Sequence, residues 1–234
     1  MATFVLVHGA FAGGWALSRV AAILRAQGHD VYTPTLSGLG ERAHLVDHPI
    51  NLSTHIQDVV AVMQVEDLKD VILCGHSYGG MIITGVAGQI PERIKTLFYL
   101  DAALPEDGQS LFDIIGTERT LRFLEQSGET GTTIPAPEPQ FFQADQSDIE
   151  WFRQSVTPQP VGTFIQKLRL TGKEALVNFR TFVRCERWMS ANHGVYARVK
   201  DLPGWKAVSL DCGHNIMIED PDTVARLLLE ELTR

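Results

Sequence analysis

Short apolar runs recur along the first hundred residues, and each is followed by a stretch with helical spacing. "TFVLV" (3–7) is apolar and β-branched and ends at His8-Gly9, the pattern of a strand buried on both faces in a parallel sheet. "GWALSRVAAILRAQG" (14–28) then places Trp15, Val20, Ile23 and Leu24 on one helical face, with Gly28 as its stop. "DVYTP" (30–34), "DVILCG" (70–75) and "IKTLFYLDA" (94–102) read as further strands. "LSTHIQDVVAVMQVE" (52–66), capped by Ser53, and "YGGMIITGVAGQIP" (78–91), stopped before Pro91, read as helices. The order β-α-β-α-β-α-β predicts an α/β protein: a mostly parallel, doubly wound sheet with helices on both faces.

The alternation breaks at Leu104. "LFDIIGTERTLRFLEQ" (111–126) and "DIEWFRQSV" (148–156) are amphipathic, but "SGETGTTIPAPEPQ" (127–140) between them is too rich in Gly, Thr and Pro for one regular element. Strands resume at "RTFVRC" (180–185) and "WKAVSL" (205–210), and "DTVARLLLEELTR" (222–234) is a last helix. The expected division is a core of residues 1–103 and 173–234 with a helical lid at 104–172, because insertions at strand ends are where active-site covers sit.

The chemistry concentrates at Gly75-His76-Ser77-Tyr78-Gly79, a G-x-S-x-G set between a strand and a helix. That context suits an exposed nucleophile: the chain reverses sharply at the serine, and small residues on either side let backbone approach. A serine needs a base, and His214 in "LDCGHNIMIEDP" (210–221) stands between the last strand and the last helix, where a base belongs. His8 and His76 belong to turns beside the site; His29, His44, His48, His55 and His193 read as surface or loop residues. The acid is open among Asp101, Glu186 and Asp211. Asp101 is favoured, because one helix and one strand fit between it and Ser77 and return it to the same sheet edge. Oxyanion donors are expected from the Tyr78 backbone and from Ala10 or Phe11 in "HGAFAGGW" (8–15). Phe11, Tyr78 and Leu104, with Phe112, Phe141, Phe142, Trp151 and Phe164 of the lid, are candidates for the pocket wall. Gly9, Gly13 and Gly14 form neither G-x-G-x-x-G nor a Walker loop, so no cofactor is expected.

Charge and cysteines narrow the setting. A formal net charge of −8 argues against nucleic acid or an anionic membrane surface as partner. Cys74, Cys185 and Cys212 lack metal-ligand spacing, so no metal is expected and the thiols read as reduced. "MATFVLVHG" reads as a strand and not a signal peptide. The expectation is a soluble, cytoplasmic enzyme acting on a small molecule, with a homodimer left open.

"FVLVHGAFAGGW" (4–15), "TLSGLGER" (35–42), "GHSYGG" (75–80), "YLDAALPEDGQS" (99–110) and "GHNIM" (213–217) together resemble the α/β-hydrolase superfamily. More narrowly, they resemble its small-lid branch of plant methyl-ester esterases, hydroxynitrile lyases and EstC-type bacterial esterases. The resemblance implies an eight-stranded sheet lacking here its first strands, and a lid between the sixth and seventh family strands. It also implies Ser77 as nucleophile and His214 as base. Where plant members carry their acid, this chain has Trp188, which favours Asp101, similar to the acid position of some haloalkane dehalogenases. The threonine and lysine of the lyases correspond to Gly9 and Asn215. The resemblance therefore implies ester hydrolysis through an acyl-enzyme. A lyase or perhydrolase-type activity and a non-catalytic small-molecule receptor remain the alternatives.

Overall fold

The computed structural model describes residues 1–129, 131–138, 144–188 and 193–234. Strands β1 (Thr3–Val7), β2 (Asp30–Tyr32), β3 (Val71–His76) and β4 (Ile94–Leu100) alternate with helices α1 (Ser18–Ala26), α2 (Leu52–Val65) and α3 (Gly79–Ala87). Between β4 and β7 (Phe179–Cys185) run α4 (Leu111–Ile115), α5 (Thr117–Gln126), β5 (Thr133–Ile134), α6 (Gln146–Ser155), β6 (Gln159–Pro160) and α7 (Gly162–Ile165). Then come α8 (His193–Val199), β8 (Trp205–Leu210), α9 (Ile216–Glu219) and α10 (Pro221–Glu230).

Among the described residues, six strands form one sheet in the order β2-β1-β3-β4-β7-β8, every neighbouring pair parallel. The period of two along each strand divides the core. Val5, Val7, Val71, Leu73, Leu97 and Tyr99 enter one apolar cluster with α2 and α3. Phe4, Leu6, Ile72, Cys74, Phe98 and Leu100 enter the other with α1 and α10. Both faces are covered, which is why the central strands read as unbroken apolar runs.

Three local readings change. Helix α2 is capped by Asn51, not Ser53: the Asn51 side chain accepts from Thr54 N–H at 3.1 Å, and Thr54 Oγ1 accepts from Asn51 N–H at 3.3 Å. The stretch 14–28 opens with a 3-10 turn, Gly14–Leu17, before α1. Segment 104–172 also holds a small antiparallel pair, β5 with β6, that no apolar alternation announces. This segment leaves from the C-terminal end of β4 and runs to the start of β7. Arg19 of α1 and Asp148 of α6 form an ion pair that ties it to the core.

Candidate active site

Strand β3 ends at His76 and α3 begins at Gly79, leaving Ser77 at the reversal with φ 54°. This left-handed conformation is uncommon for a residue with a Cβ. Surrounding contacts hold it there. Ser77 N–H donates to the Leu100 carbonyl at 3.3 Å, and the Ser77 carbonyl accepts from Gly80 N–H at 3.1 Å and Ala103 N–H at 2.9 Å. Both flanking glycines are required by close approach. A Cβ on Gly75 would sit 2.6 Å from the Gly79 carbonyl oxygen, and one on Gly79 would sit 2.8 Å from that of Val7.

Asp101 follows β4, fully buried, also left-handed at φ 43°. Its N–H donates to the Val183 carbonyl at 2.7 Å, and its Oδ1 accepts from Cys185 N–H at 3.4 Å. Its Oδ2 lies 2.6 Å from His214 Nδ1, on the loop after β8. The other two carboxylates weighed as the acid lie elsewhere. Glu186 accepts from Ser209 Oγ at 2.6 Å, and exposed Asp211 pairs with Arg187 at 2.8 Å. The Trp188 ring stacks on the His214 imidazole, with centroids 5.0 Å apart and planes 19° apart. His76 Nε2–H donates to the His214 carbonyl at 2.9 Å. Burial, and then His214 beside it, keep the His76 pKa well below the ordinary histidine value.

The loop after β1 supplies Gly9, Ala10 and Phe11. Phe11 is left-handed at φ 65°, its N–H donates to Gln159 Oε1 at 2.9 Å, and its carbonyl accepts from Thr157 N–H at 2.8 Å. The Phe11 N–H is thus engaged, whereas the N–H groups of Ala10 and Tyr78 form no hydrogen bond among the described residues. Buried Gln159 was not foreseen; it stands in "TPQP" (157–160), and nothing in that stretch marks it.

Two neutral histidines brace the site. His8 Nδ1–H donates to the Gly9 carbonyl at 2.7 Å while Nε2 accepts from Leu36 N–H at 3.1 Å. His55, expected at the surface, is fully buried: Nε2–H donates to the Ser37 carbonyl at 2.8 Å and Nδ1 accepts from Tyr78 OH at 3.1 Å. Burial lowers each of these pKa values to about 4.

Ser77, His214, Ala10, Phe11 and Tyr78 all line one cavity of about 380 Å³. Its apolar wall includes Leu111, Ile114, Phe123 and Phe164 from segment 104–172. Leu104, expected there, does not line it. Arg198 holds the Leu104 carbonyl at 3.0 Å and the side chain packs on the core, so Ala103 and Leu111 take its place. Trp151 packs edge-on against Trp15, with centroids 5.0 Å apart, and its neighbour Phe152 faces the cavity instead. Phe112 stands behind the wall, against Phe164 at 5.7 Å. Phe141 and Phe142 lie outside the described residues.

The profile of the Alpha/beta hydrolase family matches residues 4–227. The chain belongs to the α/β-hydrolase family. This α/β-hydrolase is 40% identical to the "Carbendazim hydrolyzing esterase" of Nocardioides sp. (strain SG-4G), over 97% of this chain and 98% of that protein. It is 30% identical to "Methyl jasmonate esterase 1" of Vitis vinifera over 44% of this chain and 40% of that one. Among solved structures it is similar to an extracellular α/β-hydrolase from a Paenibacillus species, described as sharing structural and functional homology with tobacco Salicylic Acid Binding Protein 2. The TM-score is 0.86 at 27% identity, covering 99% of each chain.

Proposed function

We propose that this carboxylic-ester hydrolase works through Ser77 as nucleophile, His214 as base and Asp101 as the acid that orients His214. The observation that carries the reading is the 2.6 Å hydrogen bond from His214 Nδ1–H to Asp101 Oδ2. With Nδ1 protonated and committed to a buried carboxylate, the Nε2 lone pair is the free one, and it belongs to a ring that shares the cavity wall with Ser77. Ser77 Oγ attacks the ester carbonyl carbon as Nε2 takes its proton. The negative charge that develops on the carbonyl oxygen is met by the N–H groups of Ala10 and Tyr78, while Phe11 contributes its ring to the wall. The imidazolium then protonates the leaving alcohol, and water, activated by the same nitrogen, releases the acid from the acyl-serine. Asp101 stays ionised throughout and stabilises the imidazolium.

Segment 104–172 serves as the lid, supplying the apolar wall that selects small or medium esters. Carbendazim and methyl jasmonate, which the relatives' names carry, are the first compounds to try. Gly9 bears on the lyase alternative. A Cβ there would lie 3.0 Å from Ser77 Cβ and 2.9 Å from His76 Nδ1, so a lyase-type threonine has no room.

Rapid mixing with 4-nitrophenyl butyrate tests the assignment. The parent should give serine-dependent turnover, with a nitrophenol burst equal to the enzyme concentration if deacylation is slow. Ser77→Ala should lose turnover by about 10³-fold or more. Turnover that survives Ser77→Ala would remove the serine from the mechanism.

A further inference from the structure

Arg119 of α5 is half-buried on the cavity wall, and it makes no hydrogen bond or ion pair with any described residue. The residues outside the description, 130, 139–143 and 189–192, include no Asp or Glu, so none of them supplies a carboxylate. The acidic groups nearby are taken. Glu138, on the same wall, pairs with Arg153 at 2.9 Å, and Glu118 pairs with Arg122 at 3.5 Å. Arg122 also lines the cavity, with its charge paired to Glu118. One face of the Arg119 guanidinium rests on Trp188, with its carbon 5.6 Å from the ring centroid. That contact satisfies a π-face and leaves the in-plane N–H fork unused by any described residue. Trp188 in turn stacks on His214, so two ring contacts fix the guanidinium relative to the imidazole.

A guanidinium stays charged at any working pH, and removing it from water without a counter-charge is costly. In a chain with 28 acidic residues against 20 basic ones, a cation left without an acid on a cavity wall points to a ligand that brings its own. The planar fork matches a carboxylate through two parallel hydrogen bonds. We propose that Arg119 is a specificity-determining residue that binds a substrate carboxylate remote from the scissile bond. The preferred esters are then half-esters of dicarboxylic acids, with an apolar spacer lying along Ile114, Phe123 and Phe164. This inference rests on the assignment of Ser77 and His214 to the reacting end of the cavity.

The test uses calorimetric titration of the Ser77→Ala protein, which binds without turnover, with monoethyl adipate and diethyl adipate at low ionic strength. The half-ester should bind at least tenfold tighter than the diester. Adding Arg119→Gln should abolish that preference, and adding Arg119→Lys should keep part of it, since a point charge retains the attraction and loses the fork. A merely structural role for Arg119 in supporting Trp188 would weaken both ligands alike and leave their ratio unmoved. Equal affinities, no measurable binding of the half-ester, or a preference that survives Arg119→Gln would each overturn the inference. Serine-dependent hydrolysis of 4-nitrophenyl butyrate in the parent is read separately. If it holds while the preference fails, the esterase mechanism stands and the carboxylate subsite falls.

Discussion

Acidification from pH 7 to pH 5 tests the bracing histidines. His8 and His55 each have a single tautomer pinned from both sides, with one ring nitrogen donating to a carbonyl and the other accepting. Protonating His8 would turn Nε2 into a donor facing the Leu36 N–H. Burial lowers both pKa values from 6.5 to about 4, so between these limits the unfolded chain binds protons that the native protein refuses. Stability therefore rises with pH through this window; it is fully present above about 6.5 and is lost as pH falls toward 4. From pH 7 to pH 5 each histidine should withdraw about 2 kcal/mol. His76, likewise buried and held neutral, acts in the same direction. Urea unfolding followed by tryptophan fluorescence at the two pH values reads the sum. With a slope of about 2–3 kcal/mol per molar urea for a chain of this size, the midpoint should fall by about 1–2 M. His55→Gln, compared with itself across the same pH interval, should recover about 2 kcal/mol of that loss. A midpoint unchanged between pH 7 and pH 5, or a His55→Gln variant with the full parental pH dependence, would refute the reasoning.

Two substitutions probe the site more locally. Asp101→Asn should lower kcat by about 10³–10⁴-fold while circular dichroism stays native; a loss under tenfold would take the orienting role from Asp101. Gly75→Ala drives a Cβ to within 2.6 Å of the Gly79 carbonyl oxygen and should cost about 1–3 kcal/mol. The cost should appear as a lower thermal midpoint together with lost activity, and an unchanged midpoint would mean that the elbow relaxes freely.

Readability of the chain followed how locally each feature was encoded. Strands β1, β3 and β4 stood out because burial on both faces forces continuous apolar runs, and Ser77 and His214 because their turns sit at fixed places in the alternation. Asp101 was narrowed by topology, since the strand after the elbow returns beside it, and by Trp188 standing where the plant members carry their acid. The Asn51 cap was missed because its reciprocal partner is Thr54, not the usual glutamate or glutamine. The interior place of His55 was readable and overlooked, since Leu52, Ile56 and Val59 share its helical face and are buried with it. Gln159 had no local mark. Its role arises from a contact with Phe11 across 148 positions of chain, which no window of sequence contains. Leu104 stands outside the cavity lining, with its carbonyl bonded to distant Arg198.

Phe11, Ser77 and Asp101 share one backbone feature: each follows a strand of the same sheet, and each is left-handed although it carries a Cβ. Glycine would relieve the backbone strain at all three, but at Phe11 and Asp101 it would also remove a buried ring and a buried, hydrogen-bonded carboxylate. At Ser77, whose side chain is small, selection of variants for heat resistance alone therefore has a short route that erases the nucleophile. A programme that hardens this enzyme should fix positions 11, 77 and 101 from the outset and seek its gains in the helices on the outer faces of the sheet.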